Sequence, residues 1–232
     1  MFGRPRCNAV CYSSQVTGSF PPFIRALLLL GWVASSSAGQ RVEPVYLPFV
    51  PDPDAKDAAP LSGSTWVELG PGFRLQLQQV DEAERLAYIK NVTGLAIDPF
   101  AAPGDQAPRF ETFLMQIENV GAGTLVFRSQ QCLLVGSIAE ILKPFAMETM
   151  RTTYGMLGQK MQPAYQRAGP ALMPTTRDLA AGESVAGLLV YTKVKRKTKR
   201  FHLEIQITTS AGDVTIVNAP YRRLKKKELR VE

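Results

Sequence analysis

The feature that most constrains this chain is the run at residues 201–208. Apolar Phe201, Leu203, Ile205 and Ile207 alternate there with polar His202, Glu204, Gln206 and Thr208. A two-residue period places every second side chain on one face of an extended backbone, so this run predicts a half-buried strand. Residues 73–80 repeat the pattern. Residues 110–118 repeat it again, with Phe113, Met115 and Ile117 set against Thr112, Leu114 and Gln116. Leu114 breaks the alternation, which suits a strand whose second face is partly covered. Residues 185–194 are apolar, with Leu188 and Val190 opposing Leu189 and Tyr191.

Turn signals separate these runs. Residues 119–123 read as a turn, and residues 124–135 as the strand returning from 110–118, so the two are expected to form a hairpin. Gly182 and Gly212-Asp213 mark further turns, and residues 214–217 close the set. This predicts an all-β, antiparallel sandwich of about seven strands. Strand and helix do not alternate, which excludes a doubly wound sheet. At 45% hydrophobic and 20% charged residues the composition is globular, and 3 Cys in 232 residues exclude a disulfide-dense scaffold.

Two stretches read as helix. Asp81 caps the first, with Glu82 and Glu84 in its first turn and Leu86 and Ile89 on one face. The second is an insertion over residues 137–168. Ile138, Ile141, Leu142 and Phe145 sit at helical spacing, Pro144 interrupts, and Met147, Met150, Tyr154, Met156, Leu157 and Met161 continue the set to an end near Pro163.

The N-terminal region reads as an export signal. Arg25 precedes an apolar run at 26–34, and small residues Ser36 and Ala38 follow, which predicts cleavage after Ala38. The run is about half the ~20 residues that span a bilayer, so a soluble periplasmic or extracellular product is expected. Cleavage at that point removes Cys7 and Cys11 and leaves Cys132, read as a small buried hydrophobe. Residues 39–64 are rich in Pro, Ala and Asp and predict a linker or extended arm, with Tyr46, Leu47 and Phe49 able to clip onto the domain. The sandwich is expected over residues 65–221, with a basic tail at 222–232.

Residues 112–127 carry a strand, an Asn119-Val-Gly121 turn and the next strand. Residues 179–191 carry a Gly182-Glu183 turn leading into Gly187-Leu-Leu-Val-Tyr191. This arrangement resembles the immunoglobulin-like sandwich domains of exported bacterial proteins of unknown function. The resemblance covers roughly residues 66–220 and implies a fold and an exported setting. It supplies no catalytic residues. Asn119 and Gly121 suit positive-φ turn positions.

Motifs for chemistry are sparse. The sequence holds no Gly-x-Ser-x-Gly, Walker loop, His-Glu-x-x-His or Cys-x-x-Cys. The single His, His202, sits mid-strand between Phe201 and Leu203, on the face shared with Glu204 and Gln206, and one His does not furnish the usual zinc or blue-copper ligand sets. The carboxylates Asp81, Glu82 and Glu84 read as helix N-terminal charge. Met147, Met150, Met156 and Met161 read first as gap-filling side chains, with soft thioethers suited to Cu(I) or an apolar docking surface for a partner as the other readings. No cofactor is expected.

Charge is more informative. Net charge is −4 over residues 39–110, zero over 111–190 and +8 over 191–232. The basic end holds two blocks. Lys193, Lys195, Arg196, Lys197, Lys199 and Arg200 connect two strands and predict a hairpin tip. Arg222, Arg223, Lys225, Lys226 and Lys227 begin the tail. If the last strand lies beside that tip, the blocks form one patch attractive to polyanions. For an exported chain, an anionic glycan or lipid surface, or an envelope protein, is the expected partner; nucleic acid is not. The sequence thus predicts a non-enzymatic binding or structural module of the bacterial envelope, with a Met-based copper-handling protein as the alternative.

Overall fold

The computed structural model describes residues 48–102, 108–146 and 162–225. Among these the chain forms eleven strands and two α-helices in two antiparallel sheets, an all-β sandwich. The first sheet runs β1 (Phe49–Pro51), β11 (Val214–Arg223), β10 (Arg200–Thr209), β6 (Leu125–Gly136) and β7 (Glu140–Leu142). β8 (Thr176–Leu179) pairs with the other end of β6. The second sheet runs β2 (Leu61–Ser62), β3 (Thr65–Gly70), β4 (Phe73–Gln79), β5 (Phe110–Asn119) and β9 (Ser184–Thr192).

The alternating runs supply the inner faces. Phe73, Leu75, Leu77, Phe113, Met115 and Ile117 from one sheet meet Phe201, Leu203, Ile205, Ile207, Val217 and Tyr221 from the other, all buried. Phe113 is central, with its ring edge-on to Tyr191, Phe201 and Tyr221 at centroid distances of 5.9, 6.1 and 5.3 Å. The Tyr191 hydroxyl donates to the Cys132 carbonyl at 3.1 Å and so ties the sheets together through a buried phenol. Cys132 is buried and unbridged, as its strand context predicts, and burial pushes its thiol well above the ordinary range.

The second sheet is covered on its outer face as well. There Phe110, Leu188 and Val190 pack with Val80, Ile89, Leu95, Phe100 and Tyr165 in a separate apolar cluster. The covering elements are α1 (Glu82–Thr93) and α2 (Gln162–Ala168), the latter continuing into a 3-10 turn at Gly169–Ala171. Asp81 caps α1 through a capping box: its carboxylate accepts the Glu84 N–H at 2.8 Å, and the Glu84 carboxylate accepts the Asp81 N–H at 2.9 Å. The buried side chains of α1 are Arg85 and Ile89, and Leu86 is only half-buried. Arg85 is buried because Asp98 meets it at 2.6 Å, while Thr112 accepts from its Nη1 at 3.1 Å.

Several sequence expectations need correction. β5 and β6 do not pair as a hairpin. β5 lies between β4 and β9 and β6 lies against β10, so residues 119–124 cross from one sheet to the other. Both strands carry full inward rows, and the sandwich separates them so that those rows face each other. Neither Asn119 nor Gly121 takes a positive φ. Asn119 instead braces the crossing, its Nδ2 donating to the Gly123 and Leu179 carbonyls and its Oδ1 accepting from Gly121. Gly121 is required there because a Cβ would lie 2.9 Å from Gly72 Cα.

The start of the 137–168 stretch is strand. Ile141 and Leu142 belong to β7, paired with Val135 and Leu134, and helix occurs at its end in α2. The i, i+3, i+4 spacing of Ile138, Ile141 and Leu142 is too short a window to separate helix from hairpin. The arm also contributes structure. Phe49 is buried, β1 pairs with β11, and β2 extends the second sheet. Tyr46, Leu47 and the export signal through Ala38 lie outside the described residues.

Candidate anion-binding end

Residues 193–200 connect β9 in the second sheet to β10 in the first, so they form a crossing rather than the expected hairpin tip. β10 is already flanked by β11 and β6, and β9 takes hydrogen bonds on its outer side from Phe145 and Met173. The juxtaposition with the second basic block nonetheless occurs. Arg200 pairs in register with Arg222, the Arg223 N–H donates to the Lys199 carbonyl at 2.8 Å, and Arg223 Nε donates to the Thr198 carbonyl at 3.1 Å.

The crossing is held from the opposite side by the β6–β7 hairpin. The buried Glu140 carboxylate accepts the Lys195 N–H at 3.1 Å and the Thr198 hydroxyl at 3.2 Å. Ser137 N–H donates to the Arg200 carbonyl at 3.0 Å. Gly136 lets the two pieces close, since a Cβ there would sit 3.3 Å from Glu140 Cβ and 3.4 Å from Thr198 Cγ2. Thr198 and Val194 are buried beneath the crossing.

These anchors sort the basic side chains into two groups. Lys195, Arg196, Lys197, Lys199, Arg200 and Lys225 are exposed, Arg200 with 72% of its side chain accessible and Asp52 at 3.5 Å. Lys193, Arg222 and Arg223 are half-buried. Arg223 lies over the Phe49 ring at 4.4 Å, a cation–π contact. Burial lowers the Lys193 pKa, with the nearby Glu111 carboxylate opposing that shift and Arg223 adding to it. Lys193 therefore faces the Glu111 carboxylate and Arg223 the Phe49 ring inside the sandwich end, while the six exposed cations stand at its surface. Lys226 and Lys227 fall outside the described residues, as do Met147, Met150, Met156 and Met161.

Glu111 and Glu140 were not singled out by sequence reading. Glu111 was legible: it continues the inward row of Phe113, Met115 and Ile117 and marks where that row reaches a polar end, its carboxylate accepting from Gln79 at 3.3 Å. Glu140 was hidden by the helical reading of its stretch.

Two hollows adjoin this end. One, about 650 Å³, is bounded by Phe49, Val80, Glu82, Arg85, Phe110 and Glu111 among others. The other, about 400 Å³, lies on the outer face of the first sheet beside Arg200, His202 and Tyr221. His202 is half-exposed, with Nε2 2.9 Å from Glu204 Oε1. Among the described residues, no three His, Cys, Asp or Glu side chains converge as a metal site, and no helix is long and apolar enough to cross a membrane.

No protein-family description matches the chain, and no curated protein matches its sequence. Solved structures to which the chain is similar include the yjhA protein of Bacillus subtilis, at 12% identity and a TM-score of 0.37, covering 68% of this chain and 96% of the other. Another is the Northeast Structural Genomics Consortium target SoR45, at 9% identity and a TM-score of 0.31, covering 69% and 92%.

Proposed function

We propose that this protein is a non-enzymatic binding module of the bacterial envelope, built on an immunoglobulin-like sandwich and exported, and that its basic end contacts an anionic surface. One observation carries the reading. Two basic blocks about twenty residues apart in the chain meet at one end of the sandwich through the Arg200–Arg222 pairing and the Arg223–Lys199 hydrogen bond. Six cations stay exposed there. Charges of one sign held together raise the local potential and draw in polyanions.

Backbone anchoring supports the same reading. Lys195, Thr198 and Lys199 are each hydrogen-bonded through the main chain, so the cations ride on an ordered loop. Ordering the loop in advance lowers the entropy lost when a ligand docks.

The test is retention on a sulfated polysaccharide matrix across a salt gradient. The wild-type protein is expected to elute late. The Lys195→Gln/Lys197→Gln/Lys199→Gln variant is expected to elute at clearly lower salt with unchanged circular dichroism. Equal elution of the two proteins overturns the reading.

A further inference from the structure

The hairpin that steadies the basic loop carries two exposed isoleucines. Ile138 is 43% accessible at its tip, and Ile141 is 62% accessible on β7. Single exposed aliphatic side chains are ordinary on a protein surface. The neighbours of these two are not. Ser137, beside Ile138, is bonded to Arg200. Ile141 lies opposite Val135, which pairs on its other side with His202, a member of the same outward-facing row as Arg200. Between the isoleucines, Glu140 grips Lys195 and Thr198 of the loop. Lys143, just beyond β7, is exposed as well. Val214 and Ile216, also exposed, sit at the far end of β11 from Arg222 and lack this setting.

We propose that the β6–β7 hairpin and residues 195–200 together form a docking end for an anionic phospholipid bilayer surface; the inference rests on the anion-binding reading above and names its partner. Apolar side chains set among lysines and arginines fit the two layers of such a surface. The isoleucines enter the boundary between headgroups and acyl chains, and the cations meet lipid phosphates. An acidic glycan supplies the negative charge but offers nothing to Ile138 and Ile141. Glu140 is the positioning residue of this surface, since its two hydrogen bonds keep hairpin and loop side by side.

The experiment compares the full chain with an Ile138→Ser/Ile141→Ser variant, which leaves every charge in place. Binding is measured on phosphatidylcholine vesicles with and without phosphatidylglycerol, and on the sulfated matrix. The variant is expected to bind the phosphatidylglycerol vesicles about tenfold more weakly, with matrix retention unchanged. An Ile138→Trp variant supplies a local readout. Its added emission is expected to be quenched by brominated acyl chains on phosphatidylglycerol vesicles and not on phosphatidylcholine alone. Wild-type vesicle binding by the serine variant, together with no added quenching, overturns the bilayer inference while salt-sensitive matrix retention keeps the anion-binding reading. Failure of the wild-type protein on both vesicles and matrix overturns both.

Discussion

The outer faces of the two sheets differ. On the first sheet, the outward side chains of β10 are His202, Glu204, Gln206 and Thr208, all partly open to solvent. On the second, the outward side chains of β5 and β9 include Phe110, Thr112, Leu188 and Val190, all buried under α1, α2 and the 3-10 turn. A strand wetted on one face must keep a polar row, and a strand covered on both faces need not. The second sheet thus lies between two apolar layers, one shared with the first sheet and one shared with the helices. The difference teaches that the helices are a third layer of the fold, joined to the sheet by packing and by the hydrogen bond to Thr112 from Arg85, which Asp98 holds in place.

The largest expected effect is at the layer both sheets share. Phe113 touches three aromatic rings there and is fully buried. Phe113→Ala leaves a cavity among rings that only partly relax, at a cost of about 3–5 kcal/mol. Urea denaturation followed by circular dichroism is expected to show a large fall in midpoint with an unchanged slope. A loss below about 1 kcal/mol would mean that the sheets do not share one tightly packed core.

The next prediction concerns the layer under the helices. Arg85 and Asp98 form a buried pair at 2.6 Å, and the Asp98 carboxylate also accepts the Phe100 N–H at 2.9 Å. Removing the arginine alone strands a buried carboxylate, so Arg85→Met is expected to destabilise by about 3 kcal/mol. Replacing both partners, Arg85→Met with Asp98→Leu, is expected to recover much of that loss. The recovery is only partial, because Asp98 also holds the Phe100 backbone. A thermodynamic cycle over the four proteins measures the coupling. If the single variant loses nothing, the pair does not fix α1 to the loop that follows it.

The same contrast explains what the sequence made legible. The inward rows of β4, β5 and β10 were readable because polar residues alternate with them, open to solvent wholly or in part except at Thr112, which lies under the helices. For β9 the two opposed apolar pairs were readable, and Leu114 correctly signalled a covered second face. Which elements cover that face was not readable, since Arg85 looks like a surface residue until Asp98, thirteen positions away, comes into contact with it. Partnering was hidden for a related reason. A local pattern states that 110–118 and 124–135 are strands, but sheet membership depends on which inward rows must face each other. At the basic end, the two blocks were plain in sequence. The division into exposed cations and those turned toward Glu111 and Phe49 depended on strand parity at the sandwich end and on a hairpin whose short apolar spacing imitates a helix.

The smallest effect sharpens the comparison from the same outer face of the second sheet, beyond the reach of the helices. Arg74 and Glu118 are cross-strand partners 3.2 Å apart, with side chains 50% and 35% accessible. Their chemistry matches that of Arg85 and Asp98, and only the covering differs. In the open setting water screens the attraction and both side chains lose rotamer freedom to make it, so Glu118→Gln is expected to cost at most about 0.5 kcal/mol. That cost should vanish in high salt, whereas the Arg85→Met deficit should persist because salt does not reach a buried pair. Urea midpoints for the two variants at low and high ionic strength check this. Equal losses at both sites would mean that the helical layer does not exclude water from the Arg85 pair, and the distinction between a covered and an open face of the second sheet would fall with it.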